Sequence, residues 1–362
     1  MSFGAYNPED QVLSSDAIIS PMWSNSVTTL TTFYSSSLQE QSANNTAAGK
    51  FYLSVYQGNV SLDQSLESQF SVAYGHINGS GSAYFNALVP SKTPTRDVYG
   101  QFRSLVYGDE NTPFQFGGTS YSSRDIIVLS INRARFKESF NPGSFYLTLK
   151  NGANQIGLVD DSTVTTTSTY IGTTRVYQIL SGSYSTSTQT TSVYSPNYTV
   201  SGSYGVILPD EGLIILNPRA LALAPGVLGG IGAIFNEDSS ATVAALNTSN
   251  GANAYNINNR IVFGLISGSV SPNFSLQSYE TLSSRYFFTR IKNAESNYTT
   301  NPTIIDSNGN LLYTQLVYNP QTYITTVGLY NDAGDLLAVA KLNKPLVKDF
   351  TKELLIRVKL DF

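Results

Sequence analysis

The sequence predicts a mainly β protein. It is read as a β-sandwich or barrel-like N-terminal domain over 1–159, a β-rich Ser/Thr/Tyr middle region over 160–284 and a small antiparallel-sheet C-terminal module over 285–362, with few short helices. Three observations carry this reading. Short runs of β-branched and aromatic residues recur along the chain, separated by Gly, Asn, Asp and Pro. The middle of the chain is dominated by Thr, Ser and Tyr, and Thr and Tyr favour strands. The last strand alternates, with Leu354, Ile356, Val358 and Leu360 on one face and Arg357, Lys359 and Asp361 on the other.

Taken in order, Phe51–Tyr56 and Gln69–Tyr74 read as strands, and Asn78–Ser82 reads as a flexible tip. Val98, Phe102, Leu105 and Val106 fall at helical spacing, so a short helix is expected over 95–107, started by Asp97 and stopped by Gly108. Ile126–Leu149 reads as a hairpin turning at Asn141–Ser144. On its first strand Ile131, Arg133, Arg135 and Lys137 would share a face, which suits either contact with an acidic partner or a solvated edge that discourages aggregation.

The stretch 160–204 is expected to form long, flat, nearly uncharged hairpins whose exposed strands pair or pack against another chain. An apolar pattern returns over Gly205–Leu216, a helical turn is expected over Asn217–Leu223, a short helix over Ser239–Leu246 and a strand over Ile261–Ile266. Tyr323–Tyr330 and Leu336–Ala340 form a hairpin around the turn residues Asn331–Gly334, and the third strand runs to a terminal Phe362 expected to be built into a sheet or an interface.

Composition narrows the function. The 362 residues carry 41% hydrophobic but only 13% charged residues, against about 25% charged in an ordinary soluble domain. A polar but neutral surface suits a protein packed among neighbours, or one working outside the cell. The net charge of −4 gives no basic excess for nucleic acid. With no cysteine and a single histidine, His76, disulfides, thiolate sites and two-histidine metal sites cannot form. The start has neither a basic nor an apolar signal region, and no apolar run is long enough to span a membrane.

Candidate chemistry is sparse. His76 has no nucleophile elbow, since Gly79–Ser82 lacks a strand-to-helix context. Gly226–Gly232 lacks the Gly-Lys-Ser/Thr ending of a phosphate loop. Paired carboxylates, the requirement of a glycosidase, occur at Asp109–Glu110, Asp160–Asp161, Asp210–Glu211 and Glu237–Asp238, all read as solvated turn residues. No enzyme activity and no cofactor are expected.

The runs Tyr286–Arg290, Asn297–Thr303, Thr322–Tyr330 and Leu337–Pro345 resemble C-terminal modules of virion structural proteins from large contractile-tailed phages, those of cyanobacteria most strongly. The ending is also similar to baseplate wedge proteins of the same phage group. Asp125–Lys137 with Asn141–Ser144, and Met1–Asp10, carry a second resemblance of this kind, and together the matches cover about half the chain. The resemblance implies a structural tail or baseplate subunit, made in the host cytoplasm, partnered by other virion proteins and present in multiple copies of a six-fold assembly, with no nucleic acid and no membrane span. A host-surface carbohydrate-binding or depolymerase appendage is the alternative, because aromatic residues anchor interfaces and also stack on sugars. No fixed-period repeat of a fibre is present. The candidate interface residues are Arg133, Arg135 and Lys137, with Tyr323, Tyr330, Lys344, Arg357, Lys359 and Phe362 of the C-terminal module. From Lys341 onward Lys341, Lys344, Lys348, Lys352, Arg357 and Lys359 outnumber Asp349, Glu353 and Asp361, a local basic excess suited to an acidic neighbour.

Overall fold

A computed structural model describes residues 7–35, 51–81, 93–117, 122–163, 169–172, 174–184, 189–191, 201–226, 228–235, 257–269, 273–299 and 301–361. The expected helix over 239–246, the pair Glu237–Asp238 and Phe362 lie outside the described residues. In chain order the first strands are β1 (Gln11–Pro21), β2 (Thr29–Leu30), β3 (Tyr34–Ser35), β4 (Leu53–Tyr56), β5 (Ser68–His76), β6 (Phe114–Gln115), β7 (Ser122–Ser123), β8 (Asp125–Ile131), β9 (Ser139–Phe140) and β10 (Tyr146–Asn151). There follow β11 (Asn154–Asp160), β12 (Thr169–Ile171), β13 (Thr174–Tyr184), β14 (Gln189–Thr191), β15 (Gly205–Leu208), β16 (Leu213–Leu216), β17 (Phe274–Ser275), β18 (Gln277–Ile291), β19 (Thr322–Tyr330), β20 (Leu336–Lys348) and β21 (Leu354–Asp361). The α-helices among the described residues are α1 (Pro94–Tyr107), α2 (Pro218–Ala222), α3 (Ile257–Ser267) and α4 (Thr314–Tyr318). The protein is mainly β, as its composition predicts.

The chain gathers into two compact units, a larger one of Ile18–Glu280 and a smaller one of Met1–Ala17 with Thr281–Phe362. In the larger unit a curled antiparallel sheet runs in the order β2-β17-β10-β11-β13-β15-β16-β8-β5-β4-β3, with β12 and β14 paired to β13. Strands from either side of residue 160 are interleaved in blocks within it.

Both faces of this sheet are covered. From β8, Ile127, Leu129 and Ile131 enter one core with Trp23, Phe70, Phe145 and Phe274, while Ile126 and Val128 enter a second core under α1 with Val98, Tyr99 and Phe114. β16 divides likewise, Ile214 and Leu216 against Leu213 and Ile215. Strands buried on both sides read as unbroken apolar runs, which is why 126–131 and 213–216 show no alternation. In the first core Trp23 and Phe70 tilt against Phe274, with ring centroids 4.9 and 5.3 Å from it.

α1 forms where its spacing predicts, and Gly108, with φ of 65°, ends it by donating its N–H to the Ser104 carbonyl at 2.9 Å. Its start differs: Thr93 occupies the cap position and Asp97 lies inside the first turn. The helix sits so close to β5 that a Cβ at Gly75 would lie 2.8 Å from the Tyr99 nitrogen. The helical turn expected after Asn217 is α2, capped by the Asn217 side chain accepting from Arg219 N at 3.1 Å.

Two expectations about strands are corrected. Ile126–Leu149 is not a hairpin, since β8 pairs with β5 and β16 and β10 with β11 and β17. Asn141–Ser144 does turn the chain, joining β9 to β10, with Ser144 N donating to the Asn141 carbonyl at 3.1 Å. A strand with two buried faces needs a neighbour on each edge, and sequence proximity does not supply both.

Ile261–Ile266 is not a strand but part of helix α3, whose buried residues Asn258, Asn259, Val262, Leu265 and Ile266 follow helical spacing. Two asparagines on the buried face mask that period in the sequence. Asn259 Oδ1 accepts from Tyr74 N at 2.8 Å and so substitutes for a missing backbone partner. In the described part of the stretch read as a flexible tip, Asn78 is exposed and Ser80 is buried, and His76 Nδ1 accepts from the N–H groups of Asn78 and Ser80 at 3.1 and 3.3 Å.

Within 160–204, β13 is a central strand of the sheet, paired with β11 and β15 and with Val176 and Ile179 fully buried. The rest of the stretch is described only in part.

Candidate interaction surface

The smaller unit is a thin two-layer arrangement. One layer is the sheet β1-β18-β21, in which β18 and β21 pair antiparallel from Ser284↔Asp361 to Ile291↔Leu354. The other is the hairpin β19–β20. Period-two alternation sends Phe287, Ile291, Ile356 and Val358 to meet Val327, Leu329, Ala338, Ala340 and Leu342 of the hairpin. Of this cluster Val327, Leu329, Ile356 and Val358 are buried and the rest only partly so. Burying four such side chains stabilises by about 6–12 kcal/mol before chain entropy is counted.

The opposite face of β18 and β21 interleaves rings and cations. Tyr286 lies across from Lys359, Phe288 from Arg357 and Arg290 from Leu355. The Arg357 guanidinium lies 5.4 Å and Lys359 Nζ 5.9 Å from the centre of the Tyr286 ring. Lys359 pairs with Asp361 at 3.0 Å, which raises the lysine above its ordinary range; Asp361 is lowered, first by the Ser284 hydroxyl and then by Lys359. Arg290 pairs with Asp10 at 3.0 Å.

The C-terminal basic excess is therefore smaller than the sequence suggests. Lys348 is fully buried, its Nζ donating to Asn293 O, Asn297 Oδ1 and Asp349 O at 2.9, 2.7 and 2.8 Å. Lys352 pairs with Asp349 at 3.0 Å, and the Thr351 hydroxyl, ahead of Lys352, holds that carboxyl down to about 2. Lys341 and Lys344 are exposed and form no ion pair among the described residues.

The hairpin is irregular at both ends. Thr322–Ile324 pair with Leu346–Lys348, but from Thr326 the partner is Lys341, so Leu342–Pro345 bulge opposite Thr325. Proline lacks the N–H a ladder needs, which suits Pro345 to this bulge beside Lys344. A second shift lies between Leu329 and Tyr330, leaving Leu336 opposite Tyr330 and Leu337 extra. On the outer face Gly328 lies opposite Val339, and a Cβ there would come within 2.9 Å of the Tyr330 ring and 3.2 Å of Leu336. Tyr330, Leu336, Val339 and Leu337 form an apolar patch, 38%, 52%, 58% and 68% exposed. Tyr323 is also exposed, at the other end of β19.

The candidates in the larger unit do not form a basic row. Asn132 ends β8 by accepting from Ala134 N at 3.1 Å, and Arg133–Arg135 form a 3-10 turn in place of a strand. Arg133 donates to Phe136 O at 2.7 Å and stacks on that ring, while Arg135 pairs with Glu67 and donates to Ser24 Oγ at 2.8 Å. Lys137 is exposed. A capping asparagine after an apolar run is the sequence signal for this turn.

Two carboxylates are deeply buried. Asp160, expected in a solvated turn, accepts from Gly143 N at 3.1 Å, Phe145 N at 3.3 Å, Ser162 N at 3.1 Å and the Ser162 hydroxyl, tying the Asn141–Ser144 turn to the end of β11. Asp125, which the sequence reading passes over, is fully buried and accepts from Tyr74 Oη at 3.2 Å and Ser123 Oγ at 3.3 Å, with Arg219 Nε at 3.5 Å. Burial raises both above the ordinary carboxylate range. Tyr99, donating to Ser123 O at 2.8 Å, is pushed up to about 12 by burial. These groups lie inside the fold, where their hydrogen bonds join elements distant in sequence. Asp109 and Asp210 are surface residues, the first in an Asx turn with Thr112 and the second paired with Arg175 at 2.7 Å.

A cleft of about 420 Å³ in the larger unit lies between the β10–β11 turn (Lys150, Asn151, Gly152) and α3 (Ile261, Gly264, Leu265, Gly268). Asn151 Nδ2 is already committed to Ile231 O and Gly232 O at 3.1 and 2.9 Å. Among the described residues no group of three His, Asp or Glu side chains is placed to hold a metal, and no helix is long and apolar enough to cross a membrane. The chain matches no protein-family model, no curated protein and no solved structure.

Proposed function

We propose that this protein is a structural subunit that works by protein–protein assembly, its smaller unit being the docking element, and that its place is the tail or baseplate of a contractile-tailed phage virion. The observation that supports assembly is the apolar outer face of the β19–β20 hairpin, where Tyr330, Leu336, Leu337 and Val339 stand exposed together on a protein with few surface charges. The virion setting rests on the resemblance of Tyr286–Arg290, Thr322–Tyr330 and Leu337–Pro345 to C-terminal modules of such proteins.

The test is particle incorporation. A chain carrying Leu337→Glu and Val339→Glu should fold, since both side chains point outward, yet be depleted at least tenfold from purified particles relative to wild type. Incorporation at the wild-type level would overturn the reading. The ring-and-cation face around Tyr286 favours one other reading, binding of an acidic carbohydrate; glycan-array binding lost in Tyr286→Ala would support it.

A further inference from the structure

We infer that the outer face of the β19–β20 hairpin packs against the same face of a second copy of this chain, around a two-fold axis near Val339; this rests on the assembly reading above and names one partner for it.

The face is apolar at its centre and oppositely charged at its two ends. Gly328 and Val339 lie opposite each other, with Tyr330 and Leu336 beside them. Toward the tip the turn carries exposed Asp332 and Asp335, its shape kept by backbone bonds of 3.0 Å from Asn331 N to Asp335 O and from Gly334 N to Asn331 O. Toward the base stand Lys341 and, in the bulge, Lys344, both exposed and without an ion pair among the described residues. Neither Asp332 nor Asp335 faces a cation in its own chain among the described residues.

A two-fold axis running across the strands at Val339 gives an isologous interface in which residues before Val339 in one copy lie over residues after it in the other. The acidic tip of each hairpin then lies over the basic base of its partner. Asp335 and Lys341 come within about two residues of register, about 7 Å along a strand, a gap a lysine stem spans. Parallel stacking of the two hairpins would instead set acid on acid and lysine on lysine, so charge selects the antiparallel arrangement. Gly328 helps because it presents no side chain of its own beneath Tyr330.

The contact is small. A single hairpin face buries less than the roughly 1,200 Å² of a standard stable interface, so the isolated protein should pair weakly and salt should weaken it further. In a multi-copy particle the same contact gains from high effective concentration.

The chain has no cysteine, so one introduced thiol reports position cleanly. Full-length Val339→Cys treated with a short bismaleimide should give a covalent dimer at least tenfold faster than Leu355→Cys, whose site is equally exposed but lies on another strand. Equal rates would overturn the inference. Sedimentation of concentrated wild-type protein should show dimer that is lost in Asp332→Lys/Asp335→Lys and in Lys341→Glu/Lys344→Glu, and restored as a heterodimer when the two variants are mixed. No restoration, with both variants folded by circular dichroism, would also overturn it. Failure of these tests while Leu337→Glu/Val339→Glu is still excluded from particles would leave the assembly reading standing with a different partner on this face. Dimerisation without any incorporation defect would do the reverse.

Discussion

The two units bury their sheets differently. In the larger unit β8 sends alternate residues into two separate cores and leaves none of Ile126–Leu129 to solvent. In the smaller unit β20 buries Ala338, Ala340 and Leu342 at most partly, and leaves Leu337, Val339 and Lys341 exposed. Four carboxylates show the contrast: Asp125 and Asp160 are enclosed in the larger unit, while Asp361 and Asp349 of the smaller one work at the surface. A sheet covered on both sides completes its own core. A two-layer sheet with one thin core leaves apolar area exposed.

That contrast predicts where damage spreads. Phe70→Ala removes a fully buried ring packed on Trp23, Phe33 and Phe274, and is expected to cost about 3–5 kcal/mol. Hydrogen exchange should show the loss over 18–280; an equal loss across 281–361 would erase the distinction between the units.

Lys348→Met probes the smaller unit, where the buried ammonium ties Asn293, Asn297 and Asp349 together. Losing these bonds should cost about 1–3 kcal/mol, read by denaturant titration, with faster exchange around 293–297 and 348–349. A variant as stable as wild type would show that packing alone holds this end of the hairpin.

The smallest effects come from pH and carry opposite signs. Asp125 has a raised folded pKa, so its contribution is intact below the unfolded value near 3.8 and is lost as pH rises through the folded value. Asp125→Asn should therefore gain on wild type as pH increases from about 4. Asp349 is lowered to about 2, so its contribution is present above 3.8 and lost as pH falls toward 2. The deficit of Asp349→Asn should accordingly vanish in acid. Parallel pH profiles for the two variants would contradict the assignment of one carboxylate to the interior and the other to the surface.

How much of this could be read from residues alone varies by element. Alternation in Leu354–Asp361, turn chemistry at Asn331–Gly334 and helical spacing ending at Gly108 are local properties, set by backbone sterics and by which neighbours share a face, and each appears where the sequence places it. The β-rich class follows from the same local preferences. Strand partners do not: 126–131 reads as half of a hairpin but pairs with β5 and β16, because a run apolar on both faces is satisfied only by neighbours recruited from distant parts of the chain. Burial of charge is likewise a tertiary outcome. Asp160 and Lys348 look like solvated residues in sequence, and Arg133 and Arg135 look like a free basic row. The fold brings Gly143 and Phe145 to Asp160, Asn293 and Asn297 to Lys348 and Glu67 to Arg135, and those hydrogen bonds and ion pairs offset part of the desolvation of the buried groups.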